Sequence, residues 1–327
     1  MLSTPIPGDD VGYQQAATNG DVFVEYTSDL LGVSTSLNFA VAGAYAVGAR
    51  SLGELIADRS LTDTLIVPED DPLLDFDISL DAQIARYLAE TDGTDRSTTS
   101  ATLMIGLNDL NQFKATETEF DLILSEFARL NESVLAATVD ATQTLLDFGV
   151  GQVVVNTLPS IGFLAVAGDE DDPLVSFRNA ARDEYNDRLR TEVAALAEAG
   201  AKVMIVDMEA LTIALLSDPT AFGFIAPWSE PMMLNTMHSP NPNPTVEGYD
   251  PDQVAFFDER HPSTDLHGVM GAFSAASLTS TVYLAKDVGA SLATTAEADL
   301  VLSADQNDDI FTRAGDDVAL GGWAMTG

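Results

Sequence analysis

Apolar residues come in two textures along this chain: short uninterrupted runs, and longer stretches where they recur every three or four positions. Val22, Phe23, Tyr26, Leu30 and Leu31 have helical spacing and Gly32 follows them, which predicts a helix over Asp21–Leu31. Leu37–Ala44 (LNFAVAGA) is a continuous run that reads as a strand passing into a turn, with Gly43 allowing a positive φ or a close backbone approach. Leu80–Leu88 is amphipathic. The run that starts at Ala101 stops at Gly106-Leu107-Asn108-Asp109, the look of a buried parallel strand with polar groups at its C-terminal end. Phe120, Ile123, Phe127, Leu130, Val134, Ala141 and Leu145 share one stripe, so Glu119–Phe148 is expected to be a long helix, with Gly149 as its stop. Gln152–Leu158 and Ala201–Asp207 are two more strand runs, with a helix over Ala180–Ala199 between them and a last helix expected over Ser263–Asp287. Strands alternating with helices of this length predict an α/β fold, a parallel sheet with helices on both faces.

Composition narrows the partners. The formal charge of −38, from 52 acidic against 14 basic residues, argues against binding nucleic acid or an anionic membrane surface. An apolar content of 46% is ample for a core, so the acidity does not mean disorder. Cysteine is absent, which removes disulfides and thiolate metal sites. The first residues carry neither a basic start nor an apolar core of a signal peptide, and no apolar run is long enough to cross a bilayer.

The candidate chemistry centres on Phe256-Phe257-Asp258-Glu259-Arg260-His261-Pro262-Ser263, which holds one of three histidines in the chain. An Asp-x-x-His turn lets the Asp258 carboxylate accept a hydrogen bond from one ring nitrogen of His261. The other nitrogen is then left to take a proton from a nucleophile. Pro262 turns His261 away from helical backbone, and the apolar positions after Ser263 place the pair at a helix start. Asn108, at the end of a strand run, has a side-chain amide able to face a developing oxyanion. Each feature also has a plain reading: an Asp and a His near each other by chance, an Asn-Asp turn that only stops a strand. The Pro- and Asn-rich stretch 227–254 is the length of an active-site wall.

After the last helix the texture changes. Asp308 and Asp317 stand nine residues apart, each followed two positions later by an apolar or small residue, and Gly315 precedes Asp317. That spacing is close to the glycine- and aspartate-rich nonapeptide that binds Ca²⁺ in parallel β-rolls, and oxygen-rich turns suit a hard cation. Asp308 and Asp317 are the candidate calcium ligands.

Taken in order, Asn-Phe-Ala-x-x-Gly-Ala at 38–44, Gly-x-Asn-Asp at 106–109 and Asp-x-x-His-Pro-Ser at 258–263 resemble the SGNH or GDSL hydrolase family, in particular its lipase, esterase and haemolysin-like branch. Asn19-Gly20-Asp21-Val22-Phe23-Val24-Glu25 resembles that branch's Asn-Gly-x-x-Trp-Val-Glu segment, and His267 sits where a second histidine often follows. The resemblance spans about residues 5–287 and implies a three-layer, flavodoxin-like sheet. It implies that Gly43 gives a backbone N–H and Asn108 a side-chain N–H to an oxyanion hole. His261 would be general base and then acid, with Asp258 as its orienting partner. The reaction would be acyl transfer to water through a serine ester, on a small-molecule or lipid ester and without a catalytic cofactor.

One block of the family pattern is missing. No Gly-Asp-Ser occurs in the 327 residues; Ser3 lacks the preceding Gly-Asp, and Ser28 lies in a helical segment. The expectation is therefore a hydrolase domain over 1–290 that starts just after the family's first strand and its serine, followed by a repeat-like acidic tail over 291–327. A tail of this kind implies a secreted protein exported by the type I route. Two other readings remain open: a non-catalytic relic or binding module of the same fold, and a calcium-ordered secreted scaffold.

Overall fold

The computed structural model describes residues 17–58, 68, 70–114, 116, 119–160, 173–225, 233–234, 246–285, 291–293, 299–303, 309–311 and 318–321. The chain divides into two units. One comprises Leu37–Leu158 and Asp169–Val206; the other comprises Met1–Ser36, Pro159–Gly168 and Asp207–Gly327.

The first unit is built on a parallel sheet of order β1-β2-β3, from β1 (Ser100–Leu103), β2 (Gln152–Asn156) and β3 (Val203–Val206). Leu103 is level with Val155, and Val155 with Ile205. Helices α2 (Leu52–Asp58) and α3 (Leu80–Glu90) precede the sheet. Helices α4 (Leu107–Asn111) and α5 (Phe120–Asp147) lie between β1 and β2, and α6 (Pro173–Glu198) between β2 and β3. A parallel sheet with helical crossovers is the α/β three-layer class that the run lengths predict. The central strand shows why: Val153, Val154 and Val155 are at most 1% exposed. Each contributes roughly 1.5–3 kcal/mol by leaving water, and their branched side chains suit a pleated surface.

Helix α5 presents the expected stripe, with Phe127, Val134, Ala141 and Leu145 buried in one cluster with Tyr185 and Leu189 of α6. It ends in a Schellman turn, where the N–H groups of Gly149 and Val150 donate to the carbonyls of Leu146 and Leu145. Two asparagines fasten the C-terminal end of the sheet. The Asn156 amide donates to the Leu103 carbonyl at 2.9 Å, and Asn186 brackets Leu158, accepting from its N–H at 2.8 Å and donating to its carbonyl at 2.9 Å.

Among the described residues, the second unit contains α1 (Phe23–Leu30), α7 (Met208–Ser217), α8 (Thr264–Thr279) and five strands. Helices α1 and α8 pack closely at Gly271, where a Cβ would lie 2.5 Å from that of Tyr26. Strands β4 (Thr281–Ala285), β6 (Asp299–Ser303) and β8 (Val318–Gly321) form one parallel sheet, and β5 (Ser291–Ala293) with β7 (Asp309–Phe311) another. Paired residues are 18 apart in sequence: 281 with 299, 291 with 309, 300 with 318. That is two nine-residue steps per coil, with the strands falling in alternate sheets.

Three expectations need correction. Residues 37–41 are not a strand: they have no ladder partner among the described residues, and Leu37 is 50% exposed. Their backbone leads into a turn whose geometry is set by Gly43. The run at 101–109 gives a strand that stops at Leu103 and is not buried. β1 stands at the end of the strand order, so Ser100 and Thr102 are exposed. The last helix ends at Thr279, not at Asp287, because Thr281, Val282 and Tyr283 are strand formers and join β4 to the ladder with β6.

Candidate active site

The Asp258–His261 turn is assembled by the carboxylate itself. Asp258 is fully buried, and its Oδ1 accepts the backbone N–H of Arg260 at 2.8 Å and of His261 at 2.9 Å. An Asp accepting the N–H two residues on is an Asx turn, so the residue that builds the loop is also the one facing the ring. His261 Nδ1 lies 2.8 Å from both carboxylate oxygens. A carboxylate only accepts, so Nδ1 carries the hydrogen and Nε2 of the neutral ring is the acceptor. The His261 side chain is 25% exposed, enough to meet a reactant. The loop closes with the Phe257 N–H donating to the His261 carbonyl at 2.9 Å and the Ser263 N–H to Ala255 at 2.9 Å. Ser263 then caps α8, its hydroxyl accepting from the Leu266 N–H.

His267, one turn into α8, has the opposite tautomer and a structural task. Its Nδ1 accepts the Phe23 N–H at 3.3 Å, so the hydrogen is on Nε2. Phe23 opens α1, whose preceding residue Val22 has no polar side chain to satisfy the first-turn donors, and His267 supplies an acceptor from another helix. Burial, with the charge of His261 second, pushes its pKa down to about 3, so it is a neutral buried base.

Gly43 and Asn108 belong to the other unit. Residues 41–44 form a turn closed by the Ala44 N–H on the Val41 carbonyl, with Gly43 third at φ +83°, the position of a type II turn that glycine alone occupies without strain. The Gly43 carbonyl accepts from Arg50 Nη1 at 2.6 Å. Arg50 is 2% exposed; its other nitrogen reaches Asp58 at 3.1 Å, and its guanidinium lies 3.9 Å above the Tyr45 ring. Asn108 is half-buried in the first turn of α4, which starts from Gly106 at φ +112°. A Cβ on Gly106 would be 2.6 Å from Val134. Asp109 joins the two segments: its carboxylate accepts the N–H of Ala46 at 2.9 Å and of Val47 at 3.0 Å. Burial raises the Asp109 pKa, against the pull of these N–H groups and of Arg50.

The structure thus joins Asp258 to His261, and the Gly43 turn to the Asn108 helix. Ser28, on α1, has its hydroxyl donated to the Val24 carbonyl at 2.8 Å, a back-bond within the helix. Asp308 and Asp317 lie outside the described residues, as does most of the 227–254 stretch. Sequence reasoning passed over the tasks of Asp109 and Arg50; the acidic half of Gly-x-Asn-Asp was the available signal for the first.

One unit is an α/β fold, and the other holds a histidine steered by a buried carboxylate, an arrangement that hydrolases use as a general base. The family model of the GDSL-like lipase/acylhydrolases matches residues 8–273, and the chain belongs to that family. No curated protein matches it.

Proposed function

We propose that this chain's chemistry is the hydrolysis of carboxylic esters, with the family roles of His261 as general base and then acid, Asp258 holding its tautomer, and the Gly43 N–H and Asn108 amide as oxyanion donors. The observation that carries the reading is the Nδ1 contact of 2.8 Å to a fully buried carboxylate, which leaves Nε2 as the proton acceptor. The nucleophile expected by such chemistry is a serine within Gly-Asp-Ser, a tripeptide the 327 residues do not contain. In this reading the 327 residues supply the base and the oxyanion donors. The test is nucleophile supply. An N-terminal extension carrying an apolar strand and Gly-Asp-Ser-Leu ahead of Ser3 should raise p-nitrophenyl butyrate turnover by about 10³-fold or more, and His261→Ala should remove the gain. A gain that survives His261→Ala, or no gain in an extended chain whose circular dichroism and melting match the parent's, overturns the assignment.

The tail supports a second element of the reading. Parallel strands that repeat every 18 residues are two nonapeptides per coil, and the buried Asp299 stands nine residues before Asp308. In this reading residues 291–327 are a calcium-ordered roll that stacks on β4, the last strand of a hydrolase region over 1–290, with Asp308 and Asp317 as ligands, in a protein secreted by the type I route. Millimolar Ca²⁺ should raise the melting temperature and the strand signal in circular dichroism, and an unchanged melt counts against it.

A further inference from the structure

The turn that carries His261 is held by side chains 244 and 245 residues earlier in sequence. Thr18 is fully buried and donates its hydroxyl to the Pro262 carbonyl at 2.8 Å. Next to it, Asn19 Oδ1 accepts the Thr264 N–H at 2.9 Å. The two bonds grip the backbone on either side of Ser263. Thr264 is the first residue of α8, so its N–H has no acceptor within the helix. Pro262 brings no N–H of its own, and its carbonyl would otherwise lack a donor in a part-buried position.

The segment is fitted to this task at its next residues too. A Cβ on Gly20 would come 2.6 Å from Thr264 Oγ1, so only glycine lets the chain pass this close. The Thr264 hydroxyl bonds the Asp21 carbonyl at 3.2 Å and the Tyr26 hydroxyl at 2.8 Å. Residues 18–21 therefore run along the first turn of α8, with polar contacts from Thr18, Asn19 and the Asp21 carbonyl.

We propose that Thr18 and Asn19 are positioning residues for His261. By fixing the peptide units at 262 and 264 they set the direction from which the His261 ring meets Asp258. The inference rests on the Asp258–His261 reading above, but its test needs no turnover. The chain has three histidines, so the ring resonances of ¹⁵N-histidine-labelled full-length protein are few enough to assign. The probe is the Nδ1–H proton of His261, shared with Asp258, and its exchange with water.

Thr18→Val, which keeps the shape and removes the donor, and Asn19→Leu, which removes the acceptor, should each speed that exchange by at least tenfold. The His267 resonances should hold their positions. Asn19→Asp, which keeps an acceptor at the same place, should restore the slow exchange. Wild-type exchange in both Thr18→Val and Asn19→Leu overturns the proposal. So does an equal loss of the His261 and His267 signals, which would mean general loosening of the fold. A failure of the serine-extension assay alone would sink ester hydrolysis and leave this clamp standing.

Discussion

The two segments that carry the candidate site chemistry are each folded on a buried carboxylate, Asp258 in one and Asp109 in the other, but they are tied to the rest of the chain by different means. Beyond its own Asp258, the His261 turn is gripped by neutral side chains: Thr18 and Asn19 on its backbone, Ser263 on the helix behind it, and the uncharged His267 on α1. The Gly43 turn and the Asn108 helix are fixed by buried ions, Arg50 on the Gly43 carbonyl and Asp109 on the N–H groups of Ala46 and Val47. The difference follows from what each segment offers. A turn ahead of a helix start exposes one carbonyl and one N–H, which a hydroxyl and an amide satisfy singly. Two adjacent N–H groups of different residues on a distant loop are well matched by a carboxylate, which offers two oxygens and strong polarity. In a chain with a formal charge of −38, a buried arginine is not set there by surplus; it balances a local need.

Removing the ion should have the largest effect. Asp109→Ala leaves the buried Ala46 N–H and the part-buried Val47 N–H without this acceptor, at about 1–3 kcal/mol for a fully buried group. A loss of about 3 kcal/mol is expected, read as a lower urea midpoint with an unchanged slope. Asp109→Asn keeps one oxygen and should lose about half as much. A shift below about 1 kcal/mol for Asp109→Ala would show that the carboxylate does not hold the 43–47 loop.

The contrast also explains what could be read in the sequence. Periodicity found α5 and the strand runs at 152 and 203 because one face, or both, is fully covered, so burial writes itself into every third or every consecutive position. It misread 37–44, where the apolar letters are spent on a loop: Phe39 packs edge-on against Tyr87 at 5.7 Å while Leu37 stays exposed. Asp258 and His261 were legible as a pair because their partners are three residues apart. Thr18 and Asn19 were not, since the groups they bind are over 240 positions away and are backbone, which leaves no mark on residue type. The nine-residue spacing of the tail aspartates was visible, but the start of its first strand within the expected last helix was not, because Thr281–Ala285 follows α8 after a single residue.

The smaller prediction sharpens the comparison through pH. Asp109 has a folded pKa raised above its usual 3.8, so between those values the folded chain holds a proton the unfolded chain has released. Its contribution to stability is therefore full at low pH and falls as pH rises across that window. His267 runs the other way. Unfolded it takes a proton near 6.5, folded only near 3, so across that window the unfolded chain binds more protons and stability falls as the solution is acidified. One proton corresponds to a slope of at most about 1.4 kcal/mol per pH unit. His267→Asn offers an amide oxygen to the Phe23 N–H near the place of Nδ1 and removes the titration, and it leaves the Asp109 segment untouched. Near pH 7 the two proteins should differ little beyond the lost ring contacts with Phe23, which stacks on His267 at 6.4 Å. On acidification from pH 6.5 to 4.5 the wild type should lose stability relative to His267→Asn by up to about 1.4 kcal/mol per unit, read from urea midpoints at fixed salt. Every other titrating group, Asp109 included, is common to both proteins and drops out of the difference. Parallel curves for the two would mean that His267 takes up its proton in the fold as readily as in the unfolded chain, and that Nδ1 does not hold the Phe23 N–H, because a protonated ring has no lone pair to accept it.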